Sequence, residues 1–359
     1  MKILFFVKRF YTNKDLIDDS FGRLFYFPTI LAELGHECVV FALDFKSKAE
    51  VKVRKNGVQF NTIPLKSFWR LPLMRRIYRE LGKTEADVVF SSGDSYIGYL
   101  GLRLSQRLDC RAVFDIYDDY AYFGSNKFPL MRTLLRTAAG ESDLVVCASE
   151  PLKEKYGAYQ KNILVVQNGV DNEIFRPEEK HVARERANVI SGDIVVGYFG
   201  SIHKPRGVDD LIVAVERLRA NGLNIKLLMA GRDHGEVSLR YPWIDYRGMV
   251  GQRDLVAMIN SCDVVTIPYK DTELIRMTNA CKLMEYIACR VPIVVSDVSD
   301  YADYFPESSN CVAKPADPAS LAEAIAQQLR NKKVVEKEQV VSWQRLVSQL
   351  DKKINGLIC

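Results

Sequence analysis

The residues whose types and spacing could do chemistry are densest between Pro268 and Asp297, PYKDTELIRMTNACKLMEYIACRVPIVVSD. This stretch reads as the end of a buried strand, a polar loop, a short helix carrying Lys282 and Glu285, and a second buried strand from Val291 to Val295. In an open α/β sheet, ligands bind at the carboxyl edge, where a strand gives way to the next helix. Thr278, Asn279, Ala280 and Cys281 would then offer backbone N–H groups to an anion, and the helix dipole would add about 0.3–1 kcal/mol. A carboxylate one turn into that helix, Glu285, suits a pair of hydroxyls and repels phosphate. The ligand implied carries both, as a nucleotide sugar does.

The surrounding sequence alternates strands with helices. Strands are expected at Lys2–Val7, Glu37–Leu43, Val58–Pro64, Asp87–Ser91, Arg111–Ile116, Leu144–Ala148 and Ile163–Val166, with a first helix over Arg23–Leu34. This pattern predicts a parallel, doubly wound sheet ending near residue 170. A polar, Pro-containing connection, 171–187, follows. The pattern then restarts with strands at Asp193–Phe199, Ile225–Ala230, Ile244–Tyr246 and Val264–Pro268, and with a helix at Asp209–Ala220. The expected organisation is α/β: two Rossmann-like domains, 1–170 and 188–337, facing a cleft, and a closing helix within 338–359 that crosses back to the first domain.

At 359 residues the chain exceeds what one core usually supports. A hydrophobic content of 48% and a charged content of 26% are those of an ordinary globular protein. No apolar run reaches the roughly eighteen residues needed to span a bilayer, and MKILFFVKRF reads as a first strand rather than a signal peptide. The eight cysteines are scattered without a Cys-x-x-Cys pair, which suggests buried free thiols in a reducing cytoplasm. The net charge of +5 is unevenly placed: residues 52–83 hold nine Lys or Arg against one acid, Glu80. Two readings apply to that segment, a solvated helix packed on its own sheet or an adhesion face for an anionic membrane surface or acceptor. Nucleic acid is not expected, because the cluster belongs to no recognisable binding module.

Several strings, in order, resemble a known family. MKILFFV with LAELGHECVVF resembles the opening strand, first helix and Gly-His turn of the family-four glycosyltransferases of GT-B architecture. QNGVDNEIFRP resembles their interdomain signature, and GSIHKPRGVDDLIVA their phosphate loop. YRGMV followed by SCDVVTIPY resembles their base-binding turn and the strand after it. KLMEYIA resembles their ribose-binding helix, and Trp343 in SWQRLVSQL their closing helix. The resemblance implies transfer of a sugar from a UDP- or GDP-linked donor to a glycan or lipid-linked acceptor, with retention of configuration and without metal or other cofactor. It also implies work in the cytoplasm or peripherally on the inner membrane face.

On that resemblance the donor contacts are Gly22, Gly200, Ser201, Gly207, Gly248, Met249 and Val250, together with Met277, Thr278, Asn279, Ala280, Cys281 and Glu285. Arg206, always protonated and able to bind bidentately, suits the charge of a departing diphosphate, and Lys282 would share it. Asp118 is the candidate for binding the acceptor hydroxyl or acting as base, with helix capping or turn chemistry as its other reading. Asp94, Ser95 and Asp119 are further acceptor candidates. The sequence departs from the family at Met277, where a first glutamate is usual. Glu273, backbone atoms or a different hold on the sugar would have to replace it. Arg290 stands for a usual Gly, Ser201 for a usual Arg, and Phe21-Gly22 for a Gly-Gly pair. A non-catalytic nucleotide-sugar-binding protein and a nucleotide-sugar epimerase are the alternatives.

Overall fold

In a computed structural model of the chain, all residues are described except 12–13, 47–49, 66–74, 76, 78, 80, 83, 123, 306–310, 336–339 and 359; at 122 and 125 only the backbone is described. The chain divides into two compact units. One comprises Met1–Gly169, Met277–Asn279 and Trp343–Cys359; the other comprises Val170–Arg276 and Ala280–Ser342.

The first unit is built on β1 (Lys2–Lys8), β2 (Glu37–Asp44), β3 (Lys52–Lys55), β4 (Val58–Pro64), β5 (Val88–Ser92), β6 (Arg111–Ile116), β7 (Leu144–Cys147) and β8 (Ile163–Val165). Their spatial order is β8-β7-β6-β5-β1-β2-β4-β3, and every pairing is parallel except β3 with β4. Helices α1 (Arg23–Glu33), α2 (Ser95–Leu108), α3 (Pro129–Glu141) and α4 (Glu150–Tyr156) follow strands or the loops after them. Helix α2 packs closely because it carries two glycines on its buried side. A Cβ at Gly98 would come within 2.3 Å of the Phe114 ring, and one at Gly101 within 2.4 Å of the Ser91 Cβ.

The edge strand β3, with sequence KVRK, was not expected as a strand. Its Lys52, Arg54 and Lys55 are the start of the basic segment 52–83. On an open sheet edge, such charges discourage pairing with another chain, and Lys55 Nζ also donates to the Ile17 carbonyl and to Ser20 Oγ. Arg75 and Arg79 are exposed; the segment's other basic residues, Lys66, Arg70, Arg76 and Lys83, lie outside the described residues.

The second unit holds β9 (Ile194–Phe199), β10 (Ile225–Ala230), β11 (Ile244–Tyr246), β12 (Val264–Ile267), β13 (Ile293–Ser296) and β14 (Val312–Ala313), all parallel in the order β11-β10-β9-β12-β13-β14. Its helices are α5 (Lys180–Arg186), α6 (Val208–Ala220), α7 (Gln252–Ser261), α8 (Glu273–Arg276), α9 (Cys281–Ala288) and α10 (Pro318–Arg330). The stretch 171–187, expected as a polar connection, is part of this unit. Phe175, Ala183 and Ala187 are buried in its core, and Arg184 donates to the Ser261 carbonyl and to Asp263.

Helix α11 (Trp343–Asn355) belongs to the first unit. Trp343 stacks on Tyr26 with centroids 5.3 Å apart and meets Phe27 edge-on at 5.9 Å. His36 Nε2 lies 2.6 Å from Asp351 Oδ1. Among the described residues no helix is long and apolar enough to cross a membrane. The seven described cysteines are free thiols, and burial pushes Cys147 and Cys262 up to about 12.

The first unit also contains a fully buried ion pair. Arg23, first residue of α1, donates through Nη2 to Asp115 Oδ1 at 2.6 Å and through Nε to Oδ2 at 2.9 Å, and neither side chain is exposed. Arg23 also donates to the Val166 carbonyl at 3.0 Å and to Asn168 Oδ1 at 3.3 Å, while Ser92 donates to Asp115. Removing one partner of such a pair strands the other charge, at a cost of about 3–5 kcal/mol, whereas removing both is far milder. Asp115→Ala is therefore expected to lower stability in urea denaturation by about that amount, and Arg23→Leu combined with Asp115→Leu should recover most of the loss.

A smaller strain sits after α9. Arg290 has φ 55°, the left-handed conformation of a helix C-terminus where glycine is favoured, and its successor's N–H reaches back to the Tyr286 carbonyl at 3.4 Å. Arg290→Gly should raise stability by about 1 kcal/mol, measurable as a shift of the urea midpoint.

Candidate active site at the carboxyl edge of the second sheet

Strand β9 ends at Phe199, and the loop 200–207 that follows is held by main-chain hydrogen bonds. Gly200 N–H donates to the Ala230 carbonyl at 2.8 Å and Ile202 N–H to the Arg232 carbonyl at 2.8 Å. The loop closes in a turn over Lys204–Arg206 and ends at Gly207, φ 65°, which leads into α6. A Cβ on Gly207 would stand 1.6 Å from the Pro268 carbonyl oxygen, so only glycine fits. Behind the loop, a Cβ on Gly231 would meet the Gly200 carbonyl at 2.0 Å, and one on Gly200 would meet Lys282 Nζ at 2.3 Å. Main chain and a lysine amine thus occupy the volumes that side chains would take.

Helix α9 brings the second cation to this loop. Tyr286, fully buried, accepts the Phe199 N–H on its hydroxyl at 3.2 Å and so fixes α9 against the end of β9. Lys282, one turn earlier, has its Nζ shielded from solvent with no close hydrogen-bond partner among the described residues. The ammonium lies 4.4 Å from the centroid of the Tyr198 ring and 5.1 Å from that of Tyr269. Burial pulls it below the ordinary lysine value; the Tyr269 hydroxyl opposes that pull and Arg206 adds to it. Arg206 places its guanidinium carbon 4.4 Å from the Tyr269 centroid. Glu285, three residues after Lys282, is 8% exposed and lies within electrostatic reach of it. The site thus holds two cations and a carboxylate on the second sheet's carboxyl edge.

The other expected donor contacts divide between the units. In the second unit, Ser201 accepts the Tyr198 hydroxyl on its carbonyl at 2.7 Å. Gly248 has φ 67° and accepts the Gly231 N–H at 2.8 Å. Met249 beside it is 57% exposed, and Val250 packs on the core. Ala280 is the N-cap of α9 without a side-chain cap, and Cys281 is half-buried.

Met277, Thr278 and Asn279 belong instead to the first unit. Met277 packs against an apolar cluster there that includes Leu152 and Phe114, and its carbonyl accepts Ser149 Oγ at 2.9 Å. The Asn168 N–H donates to Asn279 Oδ1 at 2.9 Å and Asn168 Nδ2 to the Asn279 carbonyl at 2.8 Å. Both contacts engage oxygens of Asn279 rather than its N–H, and of the expected run of N–H groups Thr278 and Asn279 belong to the first unit while Ala280 and Cys281 belong to the second. The apolar setting also explains a thioether where the family carries a glutamate, and Glu273, the suggested substitute, is exposed at the start of α8. Gly22 is in the first unit as well. It precedes α1 with φ 69°, and a Cβ there would press on the Tyr11 ring at 2.7 Å.

Two of the acceptor candidates, Asp94 and Asp119, have charged partners. Asp94 caps α2, accepting the N–H groups of Tyr96 and Ile97 at 3.2 and 3.3 Å, and pairs with Lys8. Ser95 is fully buried. Asp119 is buried and pairs with Lys155 at 2.5 Å. Asp94 and Asp119 thus carry capping and ion-pair contacts beside the acceptor role expected of them. Asp118 is half-buried, and its Oδ1 accepts the Asp119 N–H at 2.9 Å. Sequence reasoning missed Tyr198 and Tyr269, which read as core aromatics, and a His203–His234 pair with ring centroids 5.0 Å apart beside the loop. Burial holds His203 below its ordinary value, and the Arg206 and His234 charges add to the effect.

Two family models match the chain, "Glycosyltransferase Family 4" over residues 30–174 and "Glycosyl transferases group 1" over residues 193–331. Among curated proteins, a D-inositol 3-phosphate glycosyltransferase of Stackebrandtia nassauensis is 30% identical over 182 residues, 44% of this chain and 39% of that protein. A GDP-mannose-dependent alpha-(1-6)-phosphatidylinositol dimannoside mannosyltransferase of Mycobacterium tuberculosis is 24% identical over 227 residues, 60% of this chain and 58% of that protein. The aligned stretches span less than two thirds of either relative. Among solved structures, HepE of Anabaena in complex with UDP and glucose superposes with a TM-score of 0.75 at 13% identity, covering 99% of this chain and 100% of that one. One model falls on each unit and together they take in most of the sequence: the chain belongs to the glycosyltransferases, with two Rossmann-like domains of GT-B type.

Proposed function

We propose that this protein transfers a sugar, with retention of configuration, from a UDP- or GDP-linked donor to a glycan or lipid-linked acceptor. The observation that carries the reading is the meeting of Arg206, Lys282 and Glu285 at one sheet edge, in the unit that matches the group 1 model. An ammonium buried against aromatic rings, beside a guanidinium, is poised for an anion. A diphosphate would supply oxygens to it and to Arg206, while Glu285 would take sugar or ribose hydroxyls. The UDP in the Anabaena complex and the GDP-mannose named for the Mycobacterium relative support a nucleotide-sugar donor. The phosphatidylinositol dimannoside named there supports a lipid-linked acceptor, and work in the cytoplasm or peripherally on the inner membrane face is part of the proposal.

The bond from the anomeric carbon to the β-phosphate oxygen breaks while the acceptor hydroxyl attacks the same face. The hydroxyl proton passes to the departing phosphate, so no separate nucleophile is required. The two cations hold the charge that develops on the leaving group, without a metal ion in this reading. Asp118 is proposed to orient the acceptor hydroxyl.

Incubation with a panel of UDP-, GDP- and dTDP-sugars and an acceptor extract should release one nucleoside diphosphate. Binding without release would instead identify a non-catalytic binder, and isomerised nucleotide sugar an epimerase. Arg206→Ala and Lys282→Ala each remove a charge-assisted contact worth about 1.5–3 kcal/mol, so nucleoside diphosphate affinity should fall by roughly tenfold to a hundredfold. Glu285→Ala should weaken the intact nucleotide sugar; unchanged affinity in all three variants would remove the site. Asp118→Asn should lower turnover by about tenfold or more, within the range for a positioned catalytic carboxylate, and leave donor affinity as it was.

A further inference from the structure

Tyr269 is given no task by the donor chemistry above. It follows Pro268 at the end of β12, is buried, and packs edge-on against Tyr301 with centroids 5.8 Å apart. Both cations of the site lie near its ring, the Arg206 guanidinium carbon at 4.4 Å and Lys282 Nζ at 5.1 Å from the centroid. Like charges brought together in a shielded site repel, and an aromatic face of negative potential is one of the few uncharged groups that attracts both. The phenol registers their presence: burial opposes its ionisation, yet Arg206 and Lys282 outweigh burial and hold it below the ordinary tyrosine range.

We infer that Tyr269 is a positioning residue whose ring seats Arg206 and Lys282 together, so that a diphosphate meets both cations already in place. The inference rests on the donor-site reading above and adds what aligns the two charges. It is specific to the second phosphate. A nucleoside monophosphate presents one phosphate, whereas a diphosphate extends across the pair, so the ring should govern the affinity gained on adding the β-phosphate.

Binding of UMP and UDP, and of GMP and GDP, to the full chain by isothermal titration calorimetry tests this, with a thermal melt of each variant. Tyr269→Leu keeps apolar bulk and removes the ring; it should cut the diphosphate-over-monophosphate affinity ratio by about tenfold while monophosphate affinity stays within about threefold. Tyr269→Phe keeps the ring and should hold the ratio within about threefold of the unmodified protein. An unchanged ratio in Tyr269→Leu overturns the inference. So does an equal loss in Tyr269→Phe, which would place the effect in the hydroxyl. A parallel fall in both affinities that tracks a lower melting temperature would reduce Tyr269 to a packing residue. If the unmodified protein binds neither UDP nor GDP, the donor reading itself fails and takes this inference with it, a failure visible before any substitution is made.

Discussion

An ammonium group withdrawn from water and lodged against aromatic rings is unstable in isolation, and the second unit is arranged around one. Lys282 reaches under Gly200 because that residue has no Cβ, and it lies over two tyrosine rings in place of a carboxylate. Cation–aromatic contacts of this kind are worth about 0.5–2 kcal/mol each, less than the desolvation of a charge. The imbalance is held by the anchoring of α9 through Tyr286 and by the main-chain hydrogen bonds of loop 200–207. Rigid surroundings thus maintain a charge distribution that an anion would relieve, which is how binding sites store preorganisation.

The first unit treats a buried charge in the opposite way. Arg23 receives two carboxylate oxygens, a main-chain carbonyl and an amide oxygen, and Asp115 receives a serine hydroxyl as well. Nothing is left for a ligand to complete. The chain continues this network through Asn168 to Asn279, so α1, the carboxyl ends of β5 and β6, and a three-residue segment distant in sequence share one set of polar contacts. Satisfied networks of this kind fix one arrangement of the elements that meet there.

Much of this was legible in the sequence, for identifiable reasons. The strands are short apolar runs buried on both faces, which parallel sheets require, and their limits fell within a residue or two. The placement of Lys282, Glu285 and Arg206 at the carboxyl edge was legible because their spacing relative to strand ends and glycines is local. The burial and pairing of Asp94, Ser95 and Asp119 were not legible, because a carboxylate or hydroxyl after a strand looks the same whether it caps a helix, fills a core or meets a ligand. Arg23 and Asp115 were missed because they stand 92 positions apart and each is one charge in an otherwise apolar run. The stretch 171–187 was misjudged because its few apolar residues, Phe175 and Ala183 among them, are spread too thinly to show a period.

The glycines of the second unit set a boundary on how this site can change through descent. Gly207, Gly231 and Gly200 each stand where a methyl group would collide with a carbonyl oxygen or with the lysine amine. Variation in the loop is thereby channelled to positions such as Met249, whose side chain faces solvent. On the donor reading proposed above, a lineage could alter which nucleotide it prefers at such rim positions while the seat proposed for the two phosphates stayed as it is.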